Sequence, residues 1–233
     1  MLIYSLITAR SGSKGIKDKN IIDYNGYPLI YHSIKISQDS KLINRTFVST
    51  DSEKYASICK SYGAEVPFIR PSNISQDLST DLEVFEHFIN YLKENNEILP
   101  DIILHLRPTY PNRSLILLNN CIKLFTNNIH EYDSLRTVCP FDKLPQKMYY
   151  INNNTLTPYY KKYNNMKEPY NMPRQLFETS YIHNGCIDLI KTQTITELHS
   201  MSGNKIYPFI MNDIDDIDSI QDLEKSIKNY KKI

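Results

Sequence analysis

No stretch of this 233-residue chain approaches the ~20 consecutive apolar residues that a membrane-spanning helix requires. The first apolar run, "MLIYSLITA" (1–9), is too short and too soon followed by charge to span a bilayer. It also lacks the basic segment of a secretory leader. A cytoplasmic protein with no membrane partner is expected. Net charge is nearly absent too: 27 Lys and Arg stand against 26 Asp and Glu, leaving +1. No global basic field points to nucleic acid, so any cationic chemistry has to be local. Cysteine is scarce and scattered. Cys59, Cys121, Cys139 and Cys186 form no C-x-x-C pair, which argues against a zinc knuckle or disulfide framework and for reduced, buried thiols. Glycine numbers six and tryptophan none; nothing functional follows from the missing tryptophan. The early glycines spell neither G-x-G-x-x-G nor G-x-x-x-x-G-K-[ST], so a dinucleotide fingerprint and an ATPase P-loop are unsupported.

What is present alternates. Apolar strand-like runs at 2–8, 45–50 and 101–107 are separated by helical periodicity at 28–40, 52–63, 79–96 and 114–128, with a third strand or extended segment expected at 64–70. Pro28 suits a first helical turn, Ser52 a cap, Gly63 a terminus, and the Ser/Thr and acids at 79–83 a helix start. Strands alternating with helices imply βαβ units: an α/β fold, Rossmann-like, mostly parallel, with helices on both faces. In such sheets ligands sit at the carboxyl ends of the strands. The opening loop, "STD" (49–51) and "RPTYPNR" (107–113) all follow strands and should rim one crevice. The second half differs. Residues 145–181 are polar, Pro-containing and Tyr-rich, which reads as an arm inserted at about 140–182 into a single domain spanning 1–233. Strand-like patterning returns at 181–191 and 205–212, and a terminal helix is expected at 219–233.

Two charged segments carry the chemistry. "ARSGSKGIKDKN" (9–20) sets Arg10, Lys14, Lys17 and Lys19 against Asp18, a local charge of +3. Gly12 and Gly15 permit close approach to a ligand, backbone N–H groups form an anion nest, and Ser11 and Ser13 add hydroxyl donors. A polyphosphate fits that description. Near the other end, "NDIDDIDSIQD" (212–222) places carboxylates two residues apart, on one side of an extended segment. Such a pair suits Mg²⁺, which takes one or two protein carboxylates and leaves its other positions to water and phosphate. Asp216/Asp218 is one such pair; Asp213/Asp215 has the same spacing. Asp222 reads as a helix N-terminal acid instead.

Together these segments resemble the acylneuraminate cytidylyltransferase (CMP-sialic acid synthetase) family. That family's opening motif, A-R-x-x-S-K-G-x-x-x-K-N, is matched by residues 9–20. Its later elements are matched in order by "STD", "GAEVPFIRP" (63–71) with "SQDLST" (75–80), "RPTYPNR", "PQK" (145–147), "PRQ" (173–175), "HNG" (183–185) and "DIDSIQD" (216–222). The resemblance implies an enzyme that joins CTP to a nine-carbon 2-keto sugar acid, giving a CMP-sugar and pyrophosphate. It implies that Arg10, Ser13, Lys14 and Lys19 hold the phosphates and that Asn20 and Arg70 seat the cytidine. It implies Mg²⁺ on Asp216 and Asp218, with Arg10, Lys19 and both carboxylates as the catalytic set. Arg107, Lys147, Arg174 and Asn184 fall at sugar-binding positions. Homodimerisation through the arm is part of the family pattern. Arg107 departs from that pattern, replacing a neutral glutamine, and this turns attention from N-acetylneuraminate to a legionaminate- or pseudaminate-type substrate. Another sugar nucleotidyltransferase, a D-x-D glycosyltransferase and a non-catalytic nucleotide-binding regulator are the competing expectations.

Overall fold

The computed structural model describes residues 1–212 and 214–230. The chain divides into two compact units. The larger comprises Met1–Thr137, Asn184–Phe209 and the segment from Asp215 onward; the smaller comprises Val138–His183 and Ile210–Ile214.

The chain opens with β1 (Ile3–Thr8), a minor hairpin of β2 (Asp23–Tyr24) and β3 (Tyr27–Pro28), and then α1 (Leu29–Asp39). After these come β4 (Arg45–Ser49), α2 (Glu53–Ser61), α3 (Asp81–Glu94), β5 (Ile102–His105) and α4 (Leu115–Asn127). Next is β6 (Ser134–Phe141), then the arm strands β7 (Tyr149–Asn152), β8 (Thr155–Pro158), β9 (Lys162–Tyr163) and β10 (Met166–Lys167). The chain ends with β11 (Ser180–Lys191), α5 (Thr192–Leu198), β12 (Ile206–Ile210) and α6 (Ile220–Asn229). The central sheet has the order β12-β6-β11-β5-β1-β4. It is mostly parallel: β1 pairs in parallel with β4 and β5, and β11 enters antiparallel beside β5.

Period-two alternation along β1 decides what each face buries. Tyr4 and Leu6 join Ile103 and Ile190 beneath Phe85, Phe88, Ile89 and Leu92 of α3 and Ile195 of α5. Each such buried phenylalanine or leucine contributes roughly 1.5–3 kcal/mol. Ser5, between them, points the other way and meets Ser37 of α1 at 2.5 Å. Helices therefore cover both faces. The helix starts have local causes. Ser52 accepts from the Tyr55 N–H, Ser114 from the Leu117 N–H, and Thr80 and Glu83 close a capping box on α3. Pro28 precedes α1 as its cap residue.

The 64–70 segment does not become a strand. Glu65 alone bridges Phe47, and Pro67 lacks the N–H that a longer ladder needs. Conversely β6 and α5 were not foreseen. All four cysteines are buried and none is in a disulfide. Among the described residues no helix is long and apolar enough to cross a membrane.

The smaller unit contains two hairpins. Asn153 and Asn154, both at positive φ, turn β7 into β8, the chemistry of a two-residue hairpin loop. Asn164, also at positive φ, lies between β9 and β10. Tyr149, Tyr150, Ile151, Leu156, Tyr159 and Tyr160 of this unit are exposed.

Candidate active site

A cleft of about 400 Å³ opens at the carboxyl ends of β1 and β5 in the larger unit. The opening loop supplies Arg10, Ser13, Lys14, Gly15, Lys19 and Asn20. Arg70, Ser79, Thr80 and Asp81 form another wall, and Arg107, Pro108, Thr109 and Asp218 complete the lining.

The loop is shaped by the acids that accompany it. Asp18 sits in the left-handed region (φ 53°) and starts the 3₁₀ turn Lys19–Ile21. It takes a hydrogen bond from Tyr55 Oη at 3.1 Å, which with Lys54 holds its carboxyl below the usual range. Asp51 of "STD" accepts from both the N–H and the hydroxyl of Ser11, at 2.8 and 3.0 Å. The expectation that "STD" and Ser11 face the ligand is corrected here: these residues hold the loop in place, because the Ser11 donors are taken by Asp51. Asn20 is buried, and its amide donates to the Arg10 carbonyl at 2.9 Å, clamping the two ends of the loop.

The acidic segment meets this loop directly. Lys19 Nζ lies 2.9 Å from Asp218 Oδ1 and donates to the Ile217 carbonyl at 3.0 Å. A Cβ on Gly15 would lie 2.6 Å from the Asp218 carbonyl oxygen, so this close approach requires glycine. Ile217 is fully buried with Ile16, Tyr24 and Leu29, and its N–H donates to the Thr109 carbonyl at 2.9 Å. Asp216 is half-buried. Burial pushes its carboxyl above the ordinary range, and Asp218 adds to this against a hydrogen bond from Thr109. Its Oδ1 is buried without a partner. Asp215 is engaged elsewhere, accepting from Asn112 Nδ2 at 2.6 Å and Ser226 Oγ at 2.9 Å. Asp213 lies outside the described residues. Asp222 closes the capping box of α6 with Ser219, in keeping with its reading as a helix acid.

An orphaned buried carboxylate oxygen beside a second, exposed carboxylate fits a hard divalent cation that leaves most positions to water and phosphate. Among the described residues no group of three or more His, Cys, Asp or Glu forms a fuller metal cluster.

The two cleft arginines differ. Arg70 is buried, and its Nε and Nη2 have no hydrogen-bond partner. Arg107 is held by Asp188 at 2.7 Å and Asp81 at 3.0 Å. Gly185, at positive φ, lies against the Arg107 side chain. Beneath it His105 is fully buried, bonded to Thr8 Oγ1 at 3.0 Å and pushed down to about 4 by burial and by Arg107. Arg113 is fully buried and ties the loop after β5 together, donating to the carbonyls of Cys186 and Arg107 and to Ser33 Oγ.

The remaining expected sugar-side residues are not part of this lining. Asn184 is buried, and its Oδ1 accepts from Thr137 Oγ1 at 2.6 Å and from the Cys186 N–H at 3.1 Å. Lys147 and Arg174 belong to the smaller unit. Lys147 Nζ donates to the Tyr170 carbonyl at 3.2 Å, and Arg174 is exposed at the start of a 3₁₀ turn. Asp77, Asp81, Thr109 and Asp188 were missed as site residues. "SQDLST" was visible as an element, but nothing in it marked Asp77 as the residue that would meet the opening loop.

A mostly parallel sheet with a cationic loop, an acid pair and an uncompensated arginine at its carboxyl edge defines a nucleotidyltransferase. Comparison with known proteins narrows this class. A cytidylyltransferase family profile matches residues 4–111. Pseudaminic acid cytidylyltransferase of Campylobacter jejuni serotype O:2 is 28% identical over 97% of this chain and 95% of its own length. N-acylneuraminate cytidylyltransferase of Escherichia coli O18:K1:H7 is 28% identical over 99% of this chain and 54% of its own length. Among solved structures, CMP:2-keto-3-deoxy-manno-octonic acid synthetase complexed with CTP superposes with a TM-score of 0.70 at 13% identity, covering 98% of both chains, and attests the fold. The chain is thus similar, over nearly its whole length, to cytidylyltransferases named for pseudaminic and N-acylneuraminic acids.

Proposed function

We propose that this enzyme transfers CMP from CTP to a nonulosonic acid of the pseudaminic type, releasing pyrophosphate, and that Asp216 and Asp218 hold Mg²⁺ during the reaction. The observation that carries the reading is the 2.9 Å approach of Lys19 Nζ to Asp218 Oδ1, residues 199 apart in sequence, on the wall of one cleft. A cation for phosphate and a carboxylate for metal are then close enough to serve one triphosphate. The pseudaminic choice is supported by two relatives of matching length that are named for that substrate.

Arg10, Lys14 and Lys19 bind the triphosphate by charge-assisted hydrogen bonds, with Ser13 beside them. Asn20 from the loop and Arg70 from the adjacent wall hold the nucleotide. Lys19 also keeps the Asp218 segment registered to the loop through the Ile217 carbonyl. Thr109 orients Asp216 and, through its own carbonyl, the backbone of Ile217. Bound Mg²⁺ would neutralise charge developing on the leaving pyrophosphate. The protein's share is positioning and electrostatic stabilisation. Arg107 and Asn184 stand as sugar-side residues of the larger unit, and Lys147 and Arg174 as those of the smaller. A homodimer and a cytoplasmic location complete the proposal.

The test is a panel of pseudaminic, legionaminic and N-acetylneuraminic acids with CTP and Mg²⁺, followed by pyrophosphate release. The highest kcat/KM is expected for pseudaminic acid; turnover of none of them refutes the activity. Asp218→Asn should lower kcat by about 10²–10³. It should also abolish Mn²⁺ binding by the nucleotide-free protein, measured by electron paramagnetic resonance; retained binding refutes the metal assignment.

A further inference from the structure

Arg10 and Lys14 both close on one carboxylate. Arg10 Nη1 donates to Asp77 Oδ1 at 2.7 Å, and Lys14 Nζ stands 2.5 Å from Asp77 Oδ2. Asp77 thus presents two anionic oxygens to the same two cations that the opening loop offers a phosphate. It belongs to the segment between Arg70 and Thr80, whose ends are fixed. The Arg70 N–H donates to the Thr50 carbonyl, and Thr80 caps α3. Between those anchors the hydrogen bonds close locally: Ser75 Oγ to the Pro71 carbonyl, Gln76 Nε2 to the Ser72 carbonyl, the Ser79 N–H to the Gln76 carbonyl. Leu78, next to Asp77, is 92% exposed, so no apolar packing pins the tip. Ile74, Ser75, Gln76 and Ser79 nevertheless line the cleft.

We propose that Asp77 is a resident competitor for the anion cradle. Its carboxylate occupies Arg10 and Lys14 while the cleft is empty, phosphate oxygens displace it, and its return favours departure of the phosphate product. The inference rests on the nucleotide-binding reading of the cleft. Three physical points support it. The contacts are partly solvent-exposed, at 33% for Arg10, 77% for Lys14 and 43% for Asp77, so each is weak enough to be exchanged. A triphosphate brings more charge to the same donors than one carboxylate does. Once phosphate is seated, Asp77 faces like charge and is driven off. Asp77 therefore selects for ligands whose anionic groups reach both cations, and a nucleoside without phosphate gains nothing by displacing it.

The experiment is calorimetric titration of inorganic tripolyphosphate and of CTP into the wild-type protein and into Asp77→Asn, Asp77→Ala and Asp77→Glu. Removing two exposed ion pairs that oppose binding should tighten tripolyphosphate by about three- to tenfold in the Asn and Ala variants at low ionic strength. High salt should narrow that gap. Asp77→Glu, which keeps the charge, should stay within about twofold of wild type. Pyrophosphate should also inhibit turnover at lower concentration in Asp77→Asn. If CTP still binds but Asp77→Asn leaves tripolyphosphate affinity unchanged or weakens it, Asp77 is not a competitor. If neither CTP nor tripolyphosphate binds the wild type, the nucleotide reading of the cleft fails, and the competitor falls with it.

Discussion

Arg70 and Arg107 line the same cleft and look alike in sequence, each followed by proline, yet the structure gives them opposite electrostatic positions. Arg107 stands between Asp81 and Asp188, with Asp188 withdrawn from water. Arg70 is buried with two donor nitrogens unsatisfied, and burial lowers the pKa of its guanidinium. A buried cation without a paired counter-charge costs stability. Its retention is intelligible when a ligand supplies the missing acceptors. Cationic residues in a pocket are therefore not equivalent: Arg70 has binding capacity in reserve, whereas the charge of Arg107 is already balanced and its guanidinium is held in place.

The comparison breaks most readily at the Arg107 side. Asp188→Asn removes one member of a buried pair and should destabilise the fold by about 3–5 kcal/mol, read by urea denaturation. Arg70→Met should leave stability unchanged or raise it, and should weaken CTP binding by about tenfold to a hundredfold, the loss of charge-assisted hydrogen bonds worth ~1.5–3 kcal/mol. Equal destabilisation by the two substitutions would erase the distinction.

A pH experiment sharpens it further. His105 packs behind Arg107, 4.0 Å from Asp81 and near Asp188 and Arg113. The unfolded imidazole takes up a proton near pH 6.5, whereas the folded one resists until about 4. Between those values the unfolded chain binds more protons, so stability rises with pH. The contribution is complete above about 6.5 and is lost as pH falls towards 4, a span of roughly 3 kcal/mol. His105→Gln should flatten the urea-derived stability profile across that window. An unchanged slope would mean that the imidazole is not kept neutral by its surroundings.

The contrast also marks where sequence reading stops. Helix starts at Ser52, Thr80 and Ser114 were legible, because caps and periodicity are local. The meeting of Lys19 with the Asp216–Asp218 segment was legible through the order of motifs, and Asp222 through its place in the first turn of a helix. The ambiguity between acid pairs was not, because Asn112, which takes up Asp215 together with Ser226, reaches it from 103 residues away. Asp77, Asp81 and Asp188 escaped for the same reason. They lie 67, 26 and 81 residues from the arginines they pair with, and an isolated aspartate in a loop, a helix start or a strand carries no signal of its partner. β6 escaped because Arg136 and Pro140 interrupt its apolar pattern.

The smallest expected effect concerns how Arg70 and Arg107 come to share one wall. The segment that leaves Arg70 ends at Thr80, whose hydroxyl accepts from the Glu83 N–H while the Glu83 carboxylate accepts from the Thr80 N–H at 2.6 Å. Asp81, the first residue of α3, is thereby aimed at Arg107. Thr80→Ala removes the cap and should cost about 1 kcal/mol. Because the cap also sets the direction of Asp81, the loss should extend to the Arg107 side alone. A double-mutant cycle of Thr80→Ala with Asp81→Asn, read by urea denaturation, should give a coupling of about 0.5 kcal/mol or more, as expected for residues in one network. The cycle of Thr80→Ala with Arg70→Met should be additive. Coupling of the same size in both cycles would mean that α3 positions the two arginines as a single unit, and that the difference between them lies in their partners alone.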